Sequence, residues 1–225
     1  MGSSLRPGIV QNDLVLAVDA YNPRSYPGSG GTWYDLSGNR LNLTGNASYM
    51  SNTGLTSGAA WSTVSTDVLN TDCHTISFTL KLIPSVTYTE AYSGSWDKIF
   101  TFGAGGSDRT PSLWRYPSER TIHYRYDPSN TGHDFNTASG QFAMNTWYYI
   151  TCVKTGATTN VYINGTYLSA GSVASPKTRG TSAISLFESY TANLAQVGCL
   201  HIYRRPLSAA EITQNFTAMR GNYGI

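Results

Sequence analysis

The chain has 225 residues, a formal charge of +2 and only 12% charged residues, about half the ~25% of an average domain. This balance offers no clustered basic stripe for nucleic acid, and no apolar run approaches the ~20 residues of a membrane-spanning helix. The 22 glycines and 16 tyrosines, with many Ser and Thr, point to β structure with polar loops in one large domain.

The first residues, MGSSLRPGIVQND, lack the apolar core of a signal peptide. Residues 1–12 read as an N-terminal arm that has little to bury alone. Leu5, Arg6, Pro7, Ile9 and Val10 are its candidate attachment residues. Residues 13–225 form the domain. Leu14 to Tyr21 is an almost continuous apolar run and predicts the first strand. A Pro/Gly/Ser loop follows, then Trp33 to Asn39, where Asp35 and Ser37 suit a local turn. Ile76, Phe78, Leu80 and Leu82 alternate with Ser77, Thr79 and Lys81, the pattern of a half-buried strand. Ile99 to Phe102 and Ile122 to Tyr126 are further strands. Trp147 to Lys154 is apolar on both faces and is expected at the centre of a sheet. Asn164-Gly165 between two strand-like runs predicts a hairpin with a type I′ turn. Ala183 to Glu188 and Gln196 to Tyr203 complete the strands.

Pro206 ends the last strand, because it lacks the N–H that a ladder needs. Ser208 stands three residues before Glu211, a capping box. Ile212, Phe216 and Met219 recur at helical spacing, so a short helix is predicted near Ser208 to Arg220. Trp33, Trp61 and Trp147 are expected in the core. Many short strands with Gly-rich turns and one late helix make an all-β, two-sheet sandwich.

Three cysteines cannot all pair internally, and none lies in a C-x-x-C pair. Cys152 and Cys199 fall within predicted strands and read as buried thiols, consistent with synthesis in a reducing cytoplasm. The 13 acids are scattered. No E-x-D-x-x-E array provides the two flanking carboxylates of a glycosidase, no G-x-S-x-G elbow appears, and the four histidines lack ligand spacing. The sequence therefore assigns no catalytic residue, no metal site and no cofactor. Calcium held by the loop acids Asp97, Asp108 and Asp127 is the lesser alternative. Aromatic residues in polar segments are the better site candidates: Tyr88, Tyr92, Trp96, Trp114 and Tyr116. Such rings stack on sugars or on partner proteins.

The ordered set L-V-L-A-V-D-A-Y-N-P, W-Y-D-L-S-G-N, S-F-T-L, N-T-W-Y-Y-I-T-C-V-K, V-Y-I-N-G and I-Y-x-R-x-L-S-x-x-E-I, from Leu14 onward, resembles laminin G-like domains of the concanavalin A-like superfamily. The tail N-F-x-A-x-x-G-x-Y-G-I is similar to the version found in bacteriophage structural proteins. The resemblance implies an antiparallel jelly roll with a short C-terminal helix. It also implies a non-enzymatic virion structural or decoration protein, made in the host cytoplasm. Its partners would be other virion proteins or its own copies, in an oligomeric assembly, with host-surface glycans as further ligands. An extracellular carbohydrate-binding adhesin and a glycan hydrolase or lyase are the alternatives. Related domains often carry Asp-Glu in the final strand, where this chain has Gly198-Cys199. That departure argues against acid or calcium chemistry there.

Overall fold

The computed structural model describes residues 8–69, 71–84, 96–103, 111–115, 120–126, 135–172, 181–188 and 194–225. Its strands, in chain order, begin with β1 (Leu14–Asp19), β2 (Thr32–Trp33), β3 (Leu43–Gly45), β4 (Met50–Ser51), β5 (Gly54–Thr56) and β6 (Trp61–Ser62). The middle of the chain supplies β7 (Cys73–Leu82), β8 (Asp97–Phe102), β9 (Ser112–Arg115), β10 (Ile122–Arg125) and β11 (Phe135–Asn136). The last strands are β12 (Trp147–Thr155), β13 (Thr158–Ile163), β14 (Thr166–Ser172), β15 (Ile184–Leu186) and β16 (Ala195–Tyr203), before the helix α1 (Ala209–Tyr223).

Among the described residues these strands form two eight-stranded antiparallel sheets. Sheet A runs β14-β13-β12-β7-β16-β5-β4, with β1 also paired to β16, and sheet B runs β11-β10-β9-β8-β15-β6-β3-β2. The sandwich expected from the alternation is therefore present. In β7 the apolar set Ile76, Phe78, Leu80 and Leu82 faces the core, while Thr75, Ser77 and Thr79 lie on the opposite face. Cross-strand pairing puts Phe78 against Ile150 and Ile76 against Cys152. A one-residue slip would turn this set outward, so burial fixes the register. Sheet B supplies the large rings Trp33, Trp61, Phe100 and Phe102, all buried between the sheets.

Two local devices shape the frame. At the β13–β14 turn Asn164 and Gly165 adopt φ of 51° and 76°, the two positive values a type I′ turn requires. In β16 the pairing with β7 slips between Val197 and Leu200. The slip leaves two amides, Gly198 N and Cys199 N, and both donate to Thr79 Oγ1, at 3.1 and 3.0 Å.

The helix covers the outer face of sheet A. Its capping box is formed, with Ser208 N donating to Glu211 Oε2 at 2.8 Å and Glu211 N to Ser208 Oγ at 3.4 Å. Arg205 grips the same carboxylate with two bonds, at 3.0 and 2.6 Å. These bonds hold the Glu211 carboxyl down at about 2. The helix runs past Arg220 to Tyr223, further than its sequence pattern indicated, and Gly224 closes it at φ 68°. Its buried face is Ile212, Asn215, Met219 and Tyr223. Phe216 is half-buried, because it lies beside that face rather than on it.

Trp33 and Trp61 are in the core as expected. Trp147 is not. It is a half-buried residue of the outer cluster under α1, its ring 5.1 Å from that of Tyr223 and its face 4.7 Å from Lys81 Nζ. The apolar second face of β12 thus serves the helix and not the sandwich interior. The three cysteines are free thiols, with Cys152 and Cys199 buried.

Candidate functional site

The outer face of sheet A carries the helix; the outer face of sheet B carries polar rows whose members are mostly buried, with Trp96 and Asn136 exposed at their edge. Registers place residues on it in rows. One row crosses four strands: Lys98 pairs with Trp114, Trp114 with His123, and His123 with Asn136. A parallel row pairs Ser62 with Ser185, Ser185 with Thr101, Thr101 with Ser112, and Ser112 with Arg125. The alternate residues Trp61, Leu186, Phe100, Leu113 and Tyr124 point into the core. Lys98 and Thr101, three apart, share the outer face because a bulge between Lys98 and Phe100 shifts the pairing by one.

The first row is tightly interlocked. Lys98 Nζ lies 5.4 Å from the Trp114 ring centroid and 3.3 Å from Glu188 Oε2. The Trp114 indole N–H donates to Ser112 Oγ at 2.7 Å. His123 Nδ1 donates to Asn136 Oδ1 at 2.6 Å. Trp96 stands edge-on to His123, with centroids 5.0 Å apart, and is 43% exposed. The result is an exposed indole and the exposed Asn136 carboxamide at the edge of a buried imidazole and cation, with the half-exposed Glu188 carboxylate on the cation. An apolar ring face flanked by directional donors and acceptors is the pattern that recognises a sugar ring.

Of the aromatic residues singled out in the sequence, Trp96 and Trp114 are brought together here. Trp114 is buried beneath the row and supports it, leaving Trp96 as the ring that faces outward. Tyr88, Tyr92 and Tyr116 lie outside the described residues, as do Leu5, Arg6 and Pro7 of the arm. Ile9 and Val10, the remaining arm residues, are not projecting: Val10 is buried and both pack in the clusters under α1. Lys98, His123, Asn136 and Glu188 are not among the site candidates of the sequence, where the histidines and acids show no ligand or catalytic spacing. Only the strand register brings them into line, and register is set by contacts distant in sequence.

Two of the acids considered in the sequence are employed in the frame. Asp97 is ion-paired with Arg115 in a buried contact, which occupies one of the three acids considered for calcium; Asp108 and Asp127 lie outside the described residues. Asp35 accepts from Ala17 N, Ser37 N and Leu41 N, and from Ser37 Oγ, so it is the turn residue its position suggested. Among the described residues no three His, Cys, Asp or Glu side chains gather as a metal site requires.

The sequence of residues 52–213 matches the family model described as the concanavalin A-like lectin/glucanases superfamily, and the chain belongs to that family. No curated protein matches it. Among solved structures, the fold is similar to Trypanosoma rangeli sialidase, with TM-score 0.67 and 17% identity over 93% of this chain and 33% of that one. It is also similar to the botulinum neurotoxin serotype D binding domain, with TM-score 0.69 and 13% identity over 92% of this chain and 51% of the other. The same toxin domain is known in complex with N-acetylneuraminic acid. This chain therefore spans a third of the sialidase and half of the toxin domain.

Proposed function

We propose that this concanavalin A-like domain is a non-enzymatic recognition module that binds carbohydrate at the exposed edge of sheet B's outer face, around Trp96 and Asn136. The observation that carries the reading is the exposed Trp96 and Asn136, both held by His123 at the end of the buried row Lys98–Trp114–His123. Two things support the absence of catalysis. Glu188, the described carboxylate that reaches the row, is already ion-paired to Lys98, and a glycosidase needs two carboxylates across the bond. The fold of the sialic-acid-binding toxin domain supports sugar as the ligand class. A glycan array on the full chain, with Trp96→Ala as control, tests it. Retention of one glycan class, weakened at least tenfold in the variant, is expected. No retained glycan, or equal retention by the variant, rejects the site. Release of reducing ends from a bound glycan rejects the non-enzymatic part.

A second reading sets the module on a bacteriophage particle as a decoration or appendage protein. It is supported by the likeness of the C-terminal stretch to phage structural proteins. In this fold Phe216, Tyr223 and Ile225 of that stretch pack against sheet A, so the motif itself is explained by helix docking. Antibody labelling of purified particles decides this reading, and particles without label reject it.

A further inference from the structure

The helical cover on sheet A is incomplete. Between α1, β1 and the strap of residues 8–11 lies a cleft of about 330 Å³, far from the row on sheet B. Two buried polar side chains line it, Asp19 and His201. Leu14, Leu36 and Met219 give it apolar lining, and the amide side chains of Gln11 and Asn222 stand at its more exposed parts.

Asp19 and Asp97 are the buried acids among the described residues, and Asp97 has a cationic partner in Arg115. Asp19 has none among the described residues. Its Oδ1 accepts from Tyr21 N at 3.0 Å and Tyr223 Oη at 2.9 Å, and its Oδ2 has one long contact, 3.5 Å, to Asn222 Nδ2. All three donors are neutral. Burial raises the carboxyl above its usual range, and these hydrogen bonds only partly oppose that. The titratable groups facing it are Cys199 and His201 from β16 and Tyr223 from α1. Burial keeps the thiol and the phenol protonated and pulls the imidazole down to about 4. Among the described residues no lysine or arginine lines the cleft.

A desolvated carboxylate with unspent acceptor capacity is complemented by a cation. A bare divalent ion is favoured by several charged oxygen ligands, and among the described lining residues Asp19 is the one carboxylate, the other polar side chains being neutral amides and an imidazole. We propose that the cleft binds a small aliphatic ammonium ion, its charged head on Asp19 Oδ2 and its carbon chain along Leu14, Leu36 and Met219.

Isothermal titration calorimetry of the full chain tests this, with n-butylammonium, n-butanol, butyrate and calcium chloride as probes. Saturable one-site binding of n-butylammonium is expected, with n-butanol and butyrate at least tenfold weaker. Asp19→Asn keeps an acceptor for Tyr21 and Tyr223 and should weaken n-butylammonium at least tenfold. Ala218→Phe, which narrows the cleft and leaves Asp19 in place, should abolish binding. If either variant fails to fold by circular dichroism, the discrimination between n-butylammonium and n-butanol on the native chain decides alone. Equal affinity for those two probes, no binding of the amine, or calcium binding in its stead would overturn the proposal.

Discussion

The amide N–H of Val10 donates to Asn215 Oδ1 at 2.8 Å, across 205 residues of chain. Asn215 Nδ2 then donates to Tyr203 Oη at 2.9 Å, and Tyr203 Oη donates to the carbonyl of Val10 at 3.1 Å. Three buried groups thus close a ring that ties the N-terminal strap to the last strand and the helix. Gln214 Nε2 adds a fourth bond, to the carbonyl of Gly8, at 2.8 Å. Residues 8–12 are therefore part of the domain's own packing.

The ring makes Asn215 the most sensitive polar residue of the helix. Asn215→Ala leaves the buried Val10 amide without its acceptor, at about 1–3 kcal/mol, and takes from the Tyr203 hydroxyl the bond it accepts, at about 1 kcal/mol. A loss of about 2–4 kcal/mol in urea unfolding is expected. Deletion of residues 1–12 should also lower the melting midpoint, since it uncovers Leu207 and Ile212 of the same cluster. An unchanged midpoint in the deletion would show the strap to be an independent arm.

Stability should fall on mild acidification. His74 and His201 are buried, and burial holds both at about 4, against ~6.5 in an unfolded chain. Below pH 6.5 the unfolded state binds protons that the folded state refuses, so stability is lost as pH falls from about 6.5 toward 4. Each histidine contributes a slope approaching about 1.4 kcal/mol per pH unit. Asp19, raised in the fold, works in the opposite sense and offsets part of this at the acid end. Urea midpoints at pH 7, 6 and 5 should decline, with a shallower decline in His201→Gln. A flat profile would mean that neither imidazole is buried neutral.

The helix should be anchored unevenly. Ile212 is fully buried beneath it, while Phe216 is half-buried and overlain by Arg220, whose guanidinium carbon is 5.4 Å from the ring centroid. Ile212→Ala should cost about 2–5 kcal/mol, and Phe216→Ala no more than about 2 kcal/mol on the area it buries. A thermal-melt series that ranks Phe216 above Ile212 would contradict this docking.

What could be read in the sequence was what is local. The capping box at Ser208 and Glu211, the Asn164-Gly165 turn, the Asp35 turn and the alternation of β7 all depend on residues a few positions apart, and all formed. The missed features depend on distant partners. Asn215 looks like a surface residue of a helix until Val10 and Tyr203 arrive. Trp147 looks like core until α1 offers it a second apolar surface. His123 and Asn136 face Lys98 and Trp114 only through a register fixed by packing elsewhere in sheet B. Trp96 was legible as a loop aromatic, but its exposure beside a polar row was not.

Gly198 suits its place because the packing around it leaves no room for a side chain. A Cβ on Gly198 would lie 2.2 Å from Tyr223 Cε1 and 2.8 Å from Thr79 Oγ1. The Tyr223 ring occupies the space any side chain would need, and its hydroxyl holds Asp19. Gly198→Ala should therefore push Tyr223 off the sheet, at about 1–3 kcal/mol for overpacking, and loosen the last turn of α1. Tyr223→Ala should cost a similar amount by itself. Because the two residues compete for one volume, their effects should not add. The double variant Gly198→Ala/Tyr223→Ala should be no less stable than Tyr223→Ala alone, as read from urea midpoints. Simple additivity in that cycle would place the Tyr223 ring elsewhere.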